Sequence, residues 1–284
     1  MILIADSGST KTSWILTDGN KVVQNIVTSG YNPYYYKDEG LLNTIRKELS
    51  PQITTSKIRN IFFYGSGCSS EINCKSVKYA LSQLFPNSDI EVNHDLYGAA
   101  IALLHNNKGI ACILGTGSNS CYWDGYNIIH NVPSVGYLLG DEGSGTYIGM
   151  LILKGILEEK APAEIIKSFY NKYNTTFEDV LVNIYNEPNP NRFISKVSLF
   201  AEKNIDNEWI RNTIKKSFID FIENQLVQYE NYQNLKVSFT GSVAYYYKKI
   251  LMEACHEYDI SPGIILKDPI EGLFNFHTKK KSKA

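Results

Sequence analysis

The chain has 284 residues, 43% of them hydrophobic and 20% charged, and a formal net charge of −1. That length exceeds one ordinary core, so two domains are expected, and the near-neutral balance supplies no field for nucleic acid or an anionic membrane surface. Five scattered cysteines, Cys68, Cys74, Cys112, Cys121 and Cys255, form no C-x-x-C pair, and no window is apolar for the length of a membrane span, which points away from zinc, disulfide and membrane classes. A cytosolic protein is expected, with the basic run from Lys279 to Lys283 a solvated tail.

Strands are predicted at 2–6, 12–17 and 21–28, from apolar and β-branched runs broken by Ser-Gly and Asp-Gly turns. A helix near 38–49 follows, then a strand at 61–64 and a helix at about 74–85 that ends before Pro86. The next strand starts at Ile90 and ends at His94-Asp95, and a helix runs from Tyr97 to His105. Three antiparallel strands followed by αβα units predict a mixed α/β sheet. Three more strands are predicted from Gly109, then a Gly-rich turn at Gly136 and a mostly helical stretch from about 143 to 232. There Phe218, Ile222, Leu226 and Tyr229 recur at helical spacing. A strand from Lys236 to Phe239, a helix, a strand at 263–266 and a helix after Pro269 complete the chain. The expected division is 1–107 with the C-terminal helix 267–284, and 108–266 carrying a helical insertion.

One phrase occurs twice. Leu3-Ile4-Ala5-Asp6-Ser7-Gly8-Ser9-Thr10-Lys11-Thr12 leads to Trp14 and Asp18-Gly19, while Ala111-Cys112-Ile113-Leu114-Gly115-Thr116-Gly117-Ser118-Asn119 leads to Trp123 and Asp124-Gly125. Each copy reads as a strand, a Gly/Ser/Thr turn, a second strand and an Asp-Gly hairpin. Two such hairpins predict related domains facing each other across a cleft, each aiming backbone N–H groups at one anionic ligand such as a nucleoside triphosphate.

The chemistry of the first turn fits that reading. Asp6, at the end of a buried strand, suits a Mg²⁺ ion; Gly8 allows close approach; Ser9, Thr10 and Lys11 offer donors to phosphate. The bland alternative is a hairpin in which Asp6 accepts turn N–H bonds. The second turn, Gly115, Thr116, Gly117 and Ser118, has glycine where the first has Asp6, so it supplies only neutral donors. Neither turn fits the P-loop or Rossmann patterns. A third element, Val237-Ser238-Phe239-Thr240-Gly241-Ser242-Val243, is a strand, a glycine turn and a helix start. It could lie against a purine ring through Gly241 and Ser242, or be a plain connection with Ser242 as N-cap.

The order of these three elements resembles the phosphate-1, phosphate-2 and adenosine motifs of the superfamily of actin, heat-shock chaperone ATPases and sugar kinases. Within it, Gly115-Thr116-Gly117-Ser118-Asn119 together with Gly140-Asp141-Glu142-Gly143-Ser144-Gly145 resembles the N-acetylglucosamine kinase family, grouped with the activator ATPases of 2-hydroxyacyl-CoA dehydratases and benzoyl-CoA reductases. The resemblance implies two ribonuclease H-like (actin-like ATPase) domains with an inter-domain cleft, and ATP and Mg²⁺ as cofactors. It also implies an amino sugar as small-molecule partner and leaves a homodimer open.

By motif, the resemblance implies Asp95, in Asn93-His94-Asp95 before Tyr97-Gly98-Ala99-Ala100, as catalytic base and sugar contact. It implies Asn32 and Asp141 as sugar-binding residues, with Ser66 on the same wall. The plain alternatives are N-caps for Asp95 and Asp141 and an Asn-Pro turn starter for Asn32. The triplet Tyr34-Tyr35-Tyr36 is expected to pack rather than stack on sugar, and Tyr245-Tyr246-Tyr247 could flank adenine. The implied activity is transfer of phosphate from ATP to N-acetylglucosamine, giving the 6-phosphate; N-acetylmuramic acid and glucosamine are alternative acceptors. An iron–sulfur activator ATPase is disfavoured because neither Cys68 nor Cys121 has small-residue, helix-start surroundings. A sugar sensor is disfavoured because the first strand begins at once, with no helix-turn-helix before it.

Overall fold

A computed structural model of the chain describes residues 1–33 and 38–279, so the tyrosines at 34–36 and the end of the basic tail lie outside the described residues. Residue contacts divide the chain into two units. One comprises Met1–Asn107, Asp124–Ile128 and the chain from Asp268 onward; the other comprises Lys108–Trp123 and Ile129–Lys267.

The first sheet contains β1 (Ile2–Ser7), β2 (Lys11–Thr17), β3 (Val22–Ser29), β4 (Asn60–Gly65) and β5 (Asp89–His94) in the order β3-β2-β1-β4-β5. β1 pairs antiparallel with β2 and parallel with β4, which pairs parallel with β5. The second sheet contains β6 (Gly109–Leu114), β7 (Ser118–Trp123), β8 (Ile128–His130), β9 (Val237–Thr240) and β10 (Pro262–Leu266) in the order β8-β7-β6-β9-β10. Here too the first strand is antiparallel to the second and parallel to the fourth. The repeated phrase is therefore the start of a repeated topology, and the mixed α/β architecture predicted from the sequence is present in both sheets.

Both hairpins close alike. Asp18 Oδ1 accepts the N–H groups of Asn20 and Lys21 at 2.9 and 3.0 Å, and Asp124 Oδ1 accepts those of Tyr126 and Asn127 at 2.7 Å each. The following glycines, Gly19 and Gly125, have φ of 98° and 106°, which an L side chain resists.

The first stretch of the first unit carries α1 (Asp38–Thr44), α2 (Glu71–Ser82) and α3 (Asp95–Leu104). Three boundaries differ from the sequence expectation. The helix near 38–49 is α only to Thr44 and continues as a π-helical turn, Ile45–Leu49, before Pro51, which has no N–H for a longer ladder. α2 starts at Glu71 because Ser70 Oγ accepts Asn73 N–H at 3.2 Å, and it stops at Ser82. α3 starts at Asp95, directly after β5, two residues earlier than expected.

The insertion in the second unit is α4 (Gly145–Leu157), α5 (Ala163–Tyr173), α6 (Phe177–Tyr185), α7 (Pro190–Lys203) and α8 (Glu208–Asn224). Gly149 of α4 meets α7 so closely that a Cβ there would stand 2.0 Å from the Ile194 carbonyl oxygen. After β9 come α9 (Ser242–Tyr246) and α10 (Lys248–Glu257); after β10 comes α11 (Ile270–Lys279).

Each unit has its own core. Leu3, Ala5, Trp14, Ile61, Phe63 and Leu81 fill the first; Leu114, Ile148, Phe200, Phe218, Phe221 and Phe239 fill the second. At about 1.5–3 kcal/mol for each large side chain fully buried, these clusters hold the sheets on which the turns are mounted. Among the described residues no helix is long and apolar enough to cross a membrane.

Candidate active site

Asp6 lies at the end of β1, and no hydrogen-bond donor among the described residues reaches its carboxylate. The bland reading, in which it accepts turn N–H bonds, is therefore set aside: the turn is closed instead by Gly8 N–H donating to the Lys11 carbonyl at 2.9 Å. Burial, then the charges of Asp268 and Asp95, push the Asp6 carboxyl well above the usual carboxylate range, with Lys11 pulling the other way. A carboxylate held among others with one ammonium nearby is chemically suited to a divalent cation. Among the described residues no three His, Cys, Asp or Glu side chains converge on a metal site. Mg²⁺ fits that arrangement, because it needs only one or two carboxylates beside phosphate oxygens and water.

Two glycines in this turn have different causes. A Cβ on Gly30 would stand 2.3 Å from the Gly8 carbonyl oxygen, so β3 approaches the turn only through glycine. A Cβ on Gly8 would meet only the Lys11 carbonyl oxygen at 3.6 Å, an ordinary contact. Among the described residues nothing demands glycine at position 8, and the open side is available to a ligand.

Lys11 opens β2, and its Nζ donates to Asp268 Oδ2 at 2.7 Å. Ser13 Oγ donates to the same oxygen at 2.8 Å, and Asp268 Oδ1 accepts Ile270 N–H at 3.1 Å, starting α11. The sequence reading missed Asp268. Its only local signal is the Asp-Pro pair that precedes the last helix.

Asn32, Ser66 and Asp95 also belong to the first unit. Asn32 is 9% exposed, and its Nδ2 reaches Ser9 Oγ at 3.4 Å. Ser66 N–H donates to the Ser7 carbonyl at 2.8 Å, while its buried Oγ has no hydrogen-bond partner among the described residues. Buried hydroxyls without a partner are rare in native structures. Asp95 occupies the first turn of α3 rather than the cap itself, which is His94. Its Oδ1 accepts Leu96 N–H at 2.8 Å and lies 3.2 Å from His94 Nε2. Asp6, Ser9, Lys11, Asn32, Ser66 and Asp95 are thus gathered at one end of the first sheet, at the C-terminal ends of β1, β4 and β5.

In the second unit the Gly115–Ser118 turn is tied to the start of α4: the Gly115 carbonyl accepts Gly145 N–H at 2.8 Å, and the Thr116 carbonyl accepts Thr146 Oγ1 at 2.6 Å. Asp141 sits beside the turn in the left-handed region, φ 59°. Its Oδ1 accepts Ser134 Oγ at 3.2 Å and, at a long 3.4 Å, Ser118 N–H. A Cβ on Gly117 would stand 2.8 Å from Asp141 Oδ2, so glycine admits the carboxylate. Burial raises the Asp141 carboxyl above its ordinary value, opposed by the two hydrogen bonds. Asp141 is not an N-cap; Ser144 caps α4, accepting Tyr147 N–H at 3.1 Å.

Ser242 is not an N-cap either. Gly241 holds that position with φ 115°, and a Cβ there would stand 2.2 Å from the Leu114 carbonyl oxygen. Gly241 therefore lets β9 pass the end of β6. Thr240 Oγ1 just before it is buried without a hydrogen-bond partner among the described residues. Tyr245 and Tyr246 are exposed, whereas Tyr247 is buried. Cys68 and Cys121 are both buried, and burial pushes each thiol up to about 12.

Paired five-stranded sheets of one strand order, each opening on a Gly/Ser/Thr hairpin turn, define an actin-like ATPase fold. Similarity to solved structures agrees. A provisionally designated N-acetylglucosamine kinase from Porphyromonas gingivalis shares 38% identity over 99% of this chain and 100% of its own, with a TM-score of 0.95. A like-named protein from Chromobacterium violaceum aligns over 97% of this chain and 98% of its own at 14% identity and TM-score 0.70, which bears on the fold alone. The same holds for a provisional N-acetylmannosamine kinase from Listeria monocytogenes, at 10% identity, 99% of both chains and TM-score 0.53. No protein-family model and no curated protein matches the chain. The chain belongs to the N-acetylglucosamine kinase-like family of ATP-dependent sugar kinases.

Proposed function

We propose that the protein transfers the γ-phosphoryl group of ATP to an amino sugar in the cytosol, with N-acetylglucosamine converted to its 6-phosphate. The observation that carries this reading is 38% identity over 99% of the chain with the P. gingivalis protein, and the carboxylates at the strand ends are consistent with it. Asp95 accepts the proton of the attacking sugar hydroxyl as that oxygen bonds to phosphorus. The bond from phosphorus to the bridging oxygen breaks, and ADP leaves with the electron pair. Leu96 N–H and His94 hold Asp95 Oδ1 in one orientation for this step.

Gly8, Ser9, Thr10 and Lys11, and in the second unit Gly115, Thr116, Gly117 and Ser118, bind phosphate oxygens. Gly241 and Ser242 lie against adenosine. Asn32, Ser66 and Asp141 hold sugar hydroxyls, the orphaned Ser66 Oγ gaining its partner there. Asp6 would hold Mg²⁺, which neutralises phosphate charge when bound.

The test is sugar-dependent ADP release by the purified protein with N-acetylglucosamine, glucosamine and N-acetylmuramic acid, with and without EDTA. The position of the new phosphate is assigned by NMR. Release with N-acetylglucosamine that EDTA abolishes is expected. Preference for another sugar of the panel would replace the substrate, and release independent of every sugar would sink the reading.

A further inference from the structure

The repeated topology makes a comparison that the sequence hides. In the first sheet the fifth strand, β5, ends at His94 and is followed by Asp95 at the start of α3. In the second sheet the fifth strand, β10, ends at Leu266 and is followed after one residue by Asp268 at the start of α11. Asp268 is the counterpart of Asp95, yet it belongs to the first unit, with its carboxylate on Lys11.

Both oxygens of that carboxylate are engaged. Oδ2 receives Lys11 Nζ at 2.7 Å and Ser13 Oγ at 2.8 Å, and Oδ1 receives Ile270 N–H at 3.1 Å. The helix behind it is fixed as well. A Cβ on Gly272 of α11 would stand 2.7 Å from Ala102 Cβ of α3, and His277 stacks on Phe62 with ring centroids 3.7 Å apart and meets Tyr64 Oη at 2.8 Å. An aspartate so held presents one orientation to a long, flexible lysine.

Stability does not explain the pair. The Lys11 side chain is 54% exposed and that of Asp268 20%, and ion pairs so open to water contribute about 0–1 kcal/mol. What the pair does is order an ammonium group that otherwise samples many rotamers. A charge ordered in advance favours a transition state without reorganising during the reaction.

We propose that Asp268 is a positioning residue for phosphoryl transfer: it holds the Lys11 ammonium at the phosphate-binding turn and keeps it from closing fully on the bound triphosphate. The inference rests on the kinase reading above. An unrestrained lysine would bind the ground-state phosphates as tightly as the transition state, which strengthens binding without raising turnover. A lysine shared with Asp268 gives its charge most fully when negative charge moves during transfer. Asp268 also adds negative charge near a polyanionic ligand, which weakens ground-state binding further.

The experiment compares wild type, Asp268→Asn and Asp268→Glu. It measures kcat and KM for ATP by ADP release, affinity for the magnesium complex of the non-hydrolysable analogue AMPPNP by calorimetry, and Tm. For Asp268→Asn, kcat is expected to fall at least tenfold while AMPPNP binds at least threefold tighter and Tm moves by less than about 3 °C. Asp268→Glu, which restores the charge, is expected to recover at least a fifth of wild-type kcat. An unchanged kcat, or unchanged or weaker AMPPNP binding, overturns the proposal; so does a fall in kcat accompanied by a large fall in Tm, which would make Asp268 a pin for α11. If the wild type turns over no sugar, the kinase reading fails by that control, and the AMPPNP comparison alone decides the role of Asp268.

Discussion

Gly67 lies directly against Asn32: a Cβ on residue 67 would stand 2.4 Å from Asn32 Oδ1, and Gly67 itself has φ 76°. The glycine thus sets where the Asn32 amide can be. Gly67→Ala is expected to displace that amide and raise KM for the sugar by about tenfold, while affinity for magnesium–AMPPNP stays within about twofold. Sugar titrations at saturating ATP read the first quantity and calorimetry the second. An unchanged sugar KM would remove Asn32 from the sugar site.

Asp95→Asn keeps the acceptor for Leu96 N–H but can no longer take a proton. Its kcat should drop by about 10²–10⁴-fold with nucleotide affinity preserved. A variant retaining near-normal turnover would show that another group, or water, receives the proton.

The two glycines of the first turn should separate. Gly30→Ala drives a methyl into backbone and is expected to destabilise the protein by about 2 kcal/mol or more, read as a lower Tm. Gly8→Ala meets only a 3.6 Å contact and should leave Tm within about 2 °C while weakening AMPPNP binding at least about tenfold. Equal Tm losses in both variants would mean that position 8 is constrained by folding, not by a ligand.

The Asp141 carboxyl is raised by burial, so in the native state it holds a proton to a higher pH than it does in the unfolded chain. Stability is therefore lost as pH rises from the ordinary carboxylate value through the raised one, and the cost is complete above that window. Asp141→Asn keeps an acceptor for Ser118 and Ser134 without a charge. Its Tm should exceed wild type by ~2 °C or more at pH 7, with the gain vanishing toward pH 3, even as sugar phosphorylation is lost. Melting curves across pH 3–8 decide this; a pH-independent difference would refute the assignment to ionisation.

Whatever depends on neighbours a few residues apart can be read from the chain alone. Asp18-Gly19 and Asp124-Gly125 announce hairpins because the aspartate accepts N–H groups two and three residues on. The Gly/Ser/Thr turns, the two-sheet α/β plan and the strand-to-helix junction at Asp95 were legible for the same reason. Caps were less so. Ser242 reads as one from local sequence, but Gly241 takes the position because of its close approach to Leu114, more than a hundred residues earlier. The surroundings of the charges emerge only in the packed fold. Asp268 meets Lys11 across 257 positions of chain, Gly30 touches Gly8 through sheet pairing, and burial leaves the Ser66 hydroxyl without a partner among the described residues. Local turn chemistry is written in adjacent side chains. The desolvation and long-range pairing that set an active site's electrostatics arise only once distant segments are packed together.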